Sequence, residues 1–281
     1  MINLNGNLLQ AEDATVYTDN RGLNYGDAVF ETLRISEEKI YFWEDHYSRL
    51  TNSMEVLKME IPSNFSKNFL KAEVLKTIKF AGIAESGVRV KLLVWRKTGG
   101  KYTPKTNEIE YVISCEALPT SFYLLNEAPC KVTIYKEHCI TSGLISTLKT
   151  SNRLINILGG IYAREHEFQN CLLLNENSKL VEALNGNIFL VSGNKIKTPP
   201  LTDGCINGIL RKQIIAIINE MPSYTLEETS IALVELQEAD ELFITNIIQG
   251  IVPVSKFGDK QYGNKNAKEL ILKLNVRAKM D

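Results

Sequence analysis

The stretch EALNGNIFLVSGNKIKTPPLTDGCINGILR, Glu182 to Arg211, decides the fold of the second half of the chain. It reads as acid, strand, turn, strand, loop and helix. Glu182 stands just before the apolar run Ile188-Phe189-Leu190-Val191, which has strand length. Ser192-Gly193-Asn194 turns the chain into Lys195-Ile196-Lys197-Thr198, and Pro199-Pro200 end that pairing. A loop with Gly204, Asn207 and Gly208 then opens onto a helix beginning near Ile209. Backbone N–H groups and the positive dipole end of such a helix start favour a phosphate.

Around this stretch lies a chain of 281 residues, 44% of them apolar, long enough for two domains with real cores. With 32 basic and 33 acidic residues the net charge is -1, which gives no footprint for nucleic acid. The start MINLNGNLLQ lacks the regions of a signal peptide, and no apolar run has the length of a membrane span, so a cytoplasmic protein without a membrane partner is expected. Cys115, Cys130, Cys139, Cys171 and Cys205 are scattered, with no CxxC pair, and His46, His138 and His166 share no ligand spacing. No disulfide frame or metal site is expected.

In chain order, Asn5-Gly6 predicts a hairpin between Ile2–Leu4 and Leu8–Leu9. Thr18 to Asp27 reads as a polar loop of the kind that lines sites. A strand from Ala28 to Ile35 precedes a helix capped by Asp45, with Tyr47, Leu50, Met54 and Leu57 on one face. A second helix spans about Asn64 to Phe80, then strands at Val88–Trp95 and Glu108–Cys115 flank a basic loop, Arg96 to Tyr102. The strand, two helices and two strands complete a unit near Leu118-Pro119. Beyond it come a strand at Lys131–Tyr135, Lys149, and a helix capped by Ser151 or Asn152 with Leu154, Leu158 and Ile161 on one face. After the central stretch, strands near Glu241–Thr245 and Ile251–Ser255 and a helix from Ala267 close the chain.

A lysine beside a helix start is ordinarily a solvated surface residue. The neighbours of Lys149, Leu-Ile-Ser-Thr before it and Thr-Ser-Asn after it, are mostly uncharged, and a desolvated lysine becomes a usable amine nucleophile. A lysine, an acid able to hold a pyridinium nitrogen protonated and a phosphate seat are what a pyridoxal phosphate site requires. Arg49 suits bidentate phosphate binding, although each of these residues alone has an ordinary surface explanation.

Together they resemble the class IV aminotransferase family, the fold type IV pyridoxal phosphate enzymes. The family pattern is an acid, an Asn and an aromatic, a Thr, then apolar-x-Gly-apolar-x-basic; Glu182, Asn187, Phe189, Thr198, Ile206, Gly208, Ile209 and Arg211 fill it. The likeness continues through Arg21-Gly22, Tyr25-Gly26-Asp27, Phe30-Glu31, Arg34, His46, Arg49-Leu50, Lys149, Asn152, Ala239 to Phe243 and Pro253-Val254. It implies an α+β fold: a smaller N-terminal two-layer α/β domain at 1–118, a linker at 119–126 and a larger C-terminal mixed α/β, barrel-like domain at 127–281, like that of D-amino acid aminotransferase. It further implies that Lys149 carries pyridoxal 5′-phosphate as a Schiff base and that Glu182 pairs with the ring nitrogen. By the same resemblance Arg49, Asn187, Gly208, Ile209, Leu210, Asn246 and Ile247 bind the cofactor, with Tyr25, Phe30, Arg34 and Arg96 toward the substrate, in a homodimer.

For activity, transaminases of the family commonly have Thr in place of Leu210 and near Ile247, whereas aminodeoxychorismate lyases resemble this chain in lacking those hydroxyls. A lyase making p-aminobenzoate and pyruvate is therefore expected ahead of an aminotransferase for branched-chain or D-amino acids, which Phe30-Glu31 would suit. A non-catalytic ligand-binding relative is the third alternative, disfavoured by the retention of Lys149 and Glu182.

Overall fold

The computed structural model describes residues 1–83 and 87–281. They form two compact units, one of Met1–Phe122, Lys149–Asn152 and Asp281, the other of Tyr123–Leu148 and Arg153–Met280.

The first unit contains β1 (Ile2–Leu4), β2 (Asn7–Leu9), α1 (Arg21–Tyr25), β3 (Ala28–Ser36), β4 (Lys39–Ile40), α2 (Trp43–Val56), α3 (Lys67–Phe80), β5 (Val88–Arg96) and β6 (Ile109–Ala117). Its strands make an antiparallel sheet in the order β2-β1-β6-β5-β3-β4. Alternation along the strands puts Val29, Leu33, Val90, Leu92 and Ile113 on one face, where they share a core with Leu50 and Met54 of α2 and Leu70 and Val74 of α3. The helix expected from an Asp45 cap begins three residues earlier, at Trp43. Phe42, in a left-handed conformation, is the cap residue, and its N–H donates to Asp281 Oδ2 at 2.8 Å. The expected loop at Thr18–Asp27 contains the short α1, because Asn20 Oδ1 accepts the Leu23 N–H at 2.9 Å and Gly26 ends the turn at φ +63°.

Asp27 accepts from two buried arginines: Arg21 Nε and Arg96 Nε both lie 2.9 Å from Oδ2. Arg21 also donates to the carbonyls of Gly99 and Lys101. Arg96 donates to the carbonyls of Leu57 and Lys58 and to Asn107 Oδ1. Every donor of the Arg96 guanidinium is thereby engaged within this unit. One carboxylate thus ties α1, the end of α2 and the loop after β5.

The second unit contains β7 (Lys131–Ile140), α4 (Leu154–Glu165), β8 (Asn170–Asn175), β9 (Leu180–Ala183), β10 (Asn187–Ser192), β11 (Lys195–Thr198), α5 (Ile209–Asn219), β12 (Thr225–Glu228), α6 (Glu235–Glu238), β13 (Glu241–Asn246), β14 (Gly250–Pro253), β15 (Lys256–Phe257), β16 (Lys260–Gln261) and α7 (Lys265–Met280). Two five-stranded sheets, β12-β11-β10-β13-β14 and β16-β15-β7-β8-β9, mix parallel and antiparallel pairs. They share one core: Ile188, Leu190, Leu242 and Ile244 from the first meet Val132, Ile134, Leu172 and Leu180 from the second. The sequence reading did not foresee β9, β12, β15 or β16, which are too short to show alternation. It also placed the α4 cap on Ser151 or Asn152. Arg153 occupies the cap position without a side-chain cap bond, and Ser151 instead pairs its N–H with the Ala28 carbonyl at 3.0 Å.

Within the apolar face of β3, Glu31 is 1% exposed. Arg49 Nε and Nη2 donate to its two oxygens at 2.8 and 2.5 Å, and His46 Nδ1 lies 2.6 Å from Oε2. Burial opposes ionisation of Glu31, but the charge of Arg49 and then His46 outweighs it and brings the carboxyl from 4.5 to about 2. Burial likewise pushes His46 below its ordinary value, against the pull of Glu31.

Two outcomes follow for stability. Arg96→Met should lower unfolding free energy by about 3 kcal/mol, because it strands part of the Asp27 charge in a buried setting; calorimetry measures it, and the loss appears without any substrate present. Glu31 binds its proton more weakly folded than unfolded, so its stabilising contribution is complete above about 4.5 and fades as pH falls toward about 2. His46, also harder to protonate when folded, adds a decline in the same direction below 6.5. Denaturant titrations across that range should show stability falling with acid, less steeply in Glu31→Gln.

Candidate active site

Lys149 reaches the first unit through its backbone. The Phe30 N–H donates to the Lys149 carbonyl at 2.9 Å and Thr150 bridges to Val29, so residues 149–151 extend the edge of the sheet beside β3. The Lys149 side chain is half-buried, and its Nζ lies 4.3 Å from the centroid of the Phe30 ring. A cation over an aromatic face is favourable. Asn152 packs on the Gly26 turn, donating to the Gly26 carbonyl at 3.1 Å, and its amide fills the place a Cβ at residue 26 would need. Tyr25, Gly26, Phe30, Lys149 and Asn152, noted separately in the sequence, thus meet around one turn. Arg49 is close by in the fold, bound to Glu31, and the Lys149 charge reaches His46 and helps keep it neutral.

The second unit holds Glu182 and the loop that starts α5, the expected acid and phosphate seat. Glu182 lies within the short β9, ahead of β10 as expected, is 3% exposed, and accepts the Ile206 N–H at 2.9 Å through Oε2. The Ile206 carbonyl in turn accepts from Asn187 Nδ2 and from the Gly208 N–H, each at 2.8 Å. Ile206 therefore couples the acid to the loop that starts α5. A Cβ on Gly208 would run into Asn187 Oδ1, so only glycine fits there. The N–H groups of Ile209 and Leu210, in the first turn of an eleven-residue helix, have no acceptor within that helix, while both side chains are buried. Opposite Asn187 on β13 stands Thr245, 2% exposed, whose Oγ1 finds no hydrogen-bond partner. An orphaned hydroxyl and unanswered N–H groups at one helix start fit a phosphate. Asn246 spends its side chain on its own turn, with Oδ1 accepting from Ile248 and Gln249, and the Ile247 carbonyl accepts from Tyr123. This pair can offer the phosphate only backbone groups. Burial pushes the Cys205 thiol up to about 12, so it is a neutral neighbour of this loop.

The residues assigned to the substrate separate clearly. Tyr25 is exposed and lies beside Tyr102 and Arg21, and Phe30 lies under Lys149. Arg96, expected toward the substrate, has all its donors committed within its own unit, and Arg34 is buried and donates to the carbonyls of Thr120 and Phe122. Both make long-range bonds to backbone carbonyls, which an isolated arginine in sequence does not reveal. Lys91 was missed. Its Nζ lies 5.1 Å from the Phe30 centroid, and among the described residues no carboxylate pairs with it. Cross-strand alternation would have placed it on the Phe30 face, since Thr32 pairs with Lys91 and Phe30 with Leu93.

Residues 28–257 match the amino-transferase class IV family. A protein of Methanocaldococcus jannaschii that carries a branched-chain-amino-acid aminotransferase name is 30% identical over 99% of this chain and 95% of its own length. An aminodeoxychorismate lyase of Vibrio harveyi is 24% identical over 84% of this chain and 85% of its own. The crystal structure of a branched-chain aminotransferase from Thermoproteus uzoniensis with norvaline superposes with a TM-score of 0.87 at 24% identity, covering 98% of this chain and 93% of that one, which shows the shared α+β fold. The chain therefore belongs to the class IV aminotransferase family and is an enzyme whose cofactor is pyridoxal 5′-phosphate.

Proposed function

We propose that the chain is a 4-amino-4-deoxychorismate lyase that releases p-aminobenzoate and pyruvate. The observation that carries this reading is the character of the sheet face beside Lys149. Alternation along β3, β5 and β6 gives that face Thr32, Lys91 and Ser114 beside the apolar row Phe30, Leu93 and Val112, with two lysine ammonium groups against one ring. Among the described residues no carboxylate pairs with the Lys91 ammonium, and a substrate with two carboxylates supplies one. A branched aliphatic side chain would leave it unanswered. Leu210, without a hydroxyl at the phosphate seat, agrees with the lyase branch of the resemblance.

The cofactor, when bound, draws electrons from the carbon that bears the substrate amine. In this reading Glu182 holds the ring nitrogen protonated, and the N–H groups of Ile209 and Leu210 with Arg49 hold the phosphate. With substrate held there, the Lys149 amine would remove the proton from the amine-bearing carbon. The C–O bond to the enolpyruvyl group then breaks, the carbocycle becomes aromatic, and a proton returned to the methylene carbon gives pyruvate. No oxidant and no water are consumed, since the two products together have the same atoms as the substrate.

A second reading, aminotransfer from branched-chain or D-amino acids to a 2-oxo acid, is favoured by the names of the relatives that match over nearly the whole chain. We also read the protein as a homodimer. On α4, Leu154, Ile157, Leu158 and Ile161 fall at helical spacing on one face, and Leu154 is 73% and Ile157 56% exposed. A contiguous apolar stripe of this kind suits a second copy.

One preparation should be given 4-amino-4-deoxychorismate and, separately, a panel of amino acids with 2-oxo acids. Release of p-aminobenzoate, abolished in Lys149→Ala, is expected. A cycle in which amino donors bleach the cofactor absorbance and 2-oxo acids restore it, with no p-aminobenzoate, would replace the lyase by the aminotransferase. Sedimentation should show a dimer that Ile157→Glu converts to monomer.

A further inference from the structure

We infer that Glu31 is a positioning residue: it fixes the Arg49 guanidinium in the orientation in which that group receives the cofactor's phosphate. The inference rests on the reading above that Arg49 is a phosphate arm. Arginine is a flexible side chain, and a free one would lose much rotamer entropy on binding. Here Nε and Nη2 both engage one carboxylate, at 2.8 and 2.5 Å, which sets the plane of the guanidinium and turns its Nη1 edge away from Glu31. His46, one turn before Arg49 on α2, holds Glu31 Oε2 from the other side at 2.6 Å and is fully buried. The carboxylate is thus clamped by two side chains from one helix face.

Neither attraction for a phosphate nor a stability gain over an apolar side chain accounts for an acid at this place. A carboxylate beside a phosphate-binding arginine weakens the attraction between that arginine and an anion, so Glu31 costs Coulomb energy there. A buried ion cluster is often no more stable than apolar side chains of the same volume. The core neighbours of Glu31 on the same strand face, Val29 and Leu33, show that apolar side chains fit. Orientation is the property that only the carboxylate provides.

The test uses full-length protein freed of cofactor and titrated with pyridoxal phosphate and with pyridoxal, which keeps the aldehyde and ring but has a hydroxyl for the phosphate. Bound aldehyde is followed by absorbance. Arg49→Ala should weaken pyridoxal phosphate and leave pyridoxal unchanged. Glu31→Gln should do the same by roughly ten- to a hundredfold, and the double variant should be no weaker than Arg49→Ala alone. Wild-type affinity in Glu31→Gln, equal losses for both ligands, or full additivity with Arg49→Ala would each overturn the inference. If Arg49→Ala itself binds pyridoxal phosphate like the wild type, the phosphate-arm reading falls first and the inference with it. Should Glu31→Gln not fold, Glu31→Asp decides: an intermediate affinity for pyridoxal phosphate supports the role, and wild-type affinity overturns it.

Discussion

A short backbone ladder fixes the lysine. Residues 149–151 add themselves to the edge of a sheet built from residues far earlier in the chain, with the Phe30 N–H donating to the Lys149 carbonyl and the Ser151 N–H to the Ala28 carbonyl. Main-chain pairing of this kind is indifferent to side-chain identity and leaves the Lys149 amine to chemistry. It also places the one aromatic ring of β3 under that amine. Without this pairing Lys149 would be the ordinary solvated lysine that its composition suggests.

The acid and the helix start depend on a second junction, centred on a residue whose side chain does no chemistry. Ile206 gives its N–H to Glu182 and its carbonyl to Asn187 and Gly208. An acid, an amide and a glycine are thereby coupled through one peptide, and moving any of them moves the others. The close approach of Asn187 to Gly208 explains why the family pattern separates an Asn and a Gly by a fixed span: each occupies the space the other leaves.

Much of this was legible in the sequence because the spacing from Glu182 to Arg211 follows one hairpin and one helix start, both local structures. The long strands Ala28–Ser36, Val88–Arg96 and Lys131–Ile140 showed their starts by pattern, and α5 its full extent. The misreadings share a cause. Asp45 has the chemistry of a helix cap, but the Phe42 N–H finds a carboxylate from the far end of the chain, which no local reading can see. Ser151 was expected to cap α4, but its backbone pairs with β3 and the cap position falls on Arg153. For Arg34 and Arg96 a sequence shows the charge and hides the carbonyls to which each donates. Lys91 was overlooked for the reverse reason, a charge in a strand whose facing partner was not yet known. Long-range pairing, and not propensity, decided each case.

The loop between β5 and β6 is gripped by its peptide groups. Arg21 takes the Gly99 and Lys101 carbonyls, and Arg96 reaches the Asn107 side chain at the loop's far end. Such a grip does not depend on what residues 101–103 display, and Tyr102, 91% exposed, is held in place by nothing but its backbone and a ring contact with Tyr25. The segment is built as an exchangeable facing on a fixed mount. Its displayed residues can be rewritten over evolutionary time, while the arginines and the aspartate behind them keep the same lines of attachment.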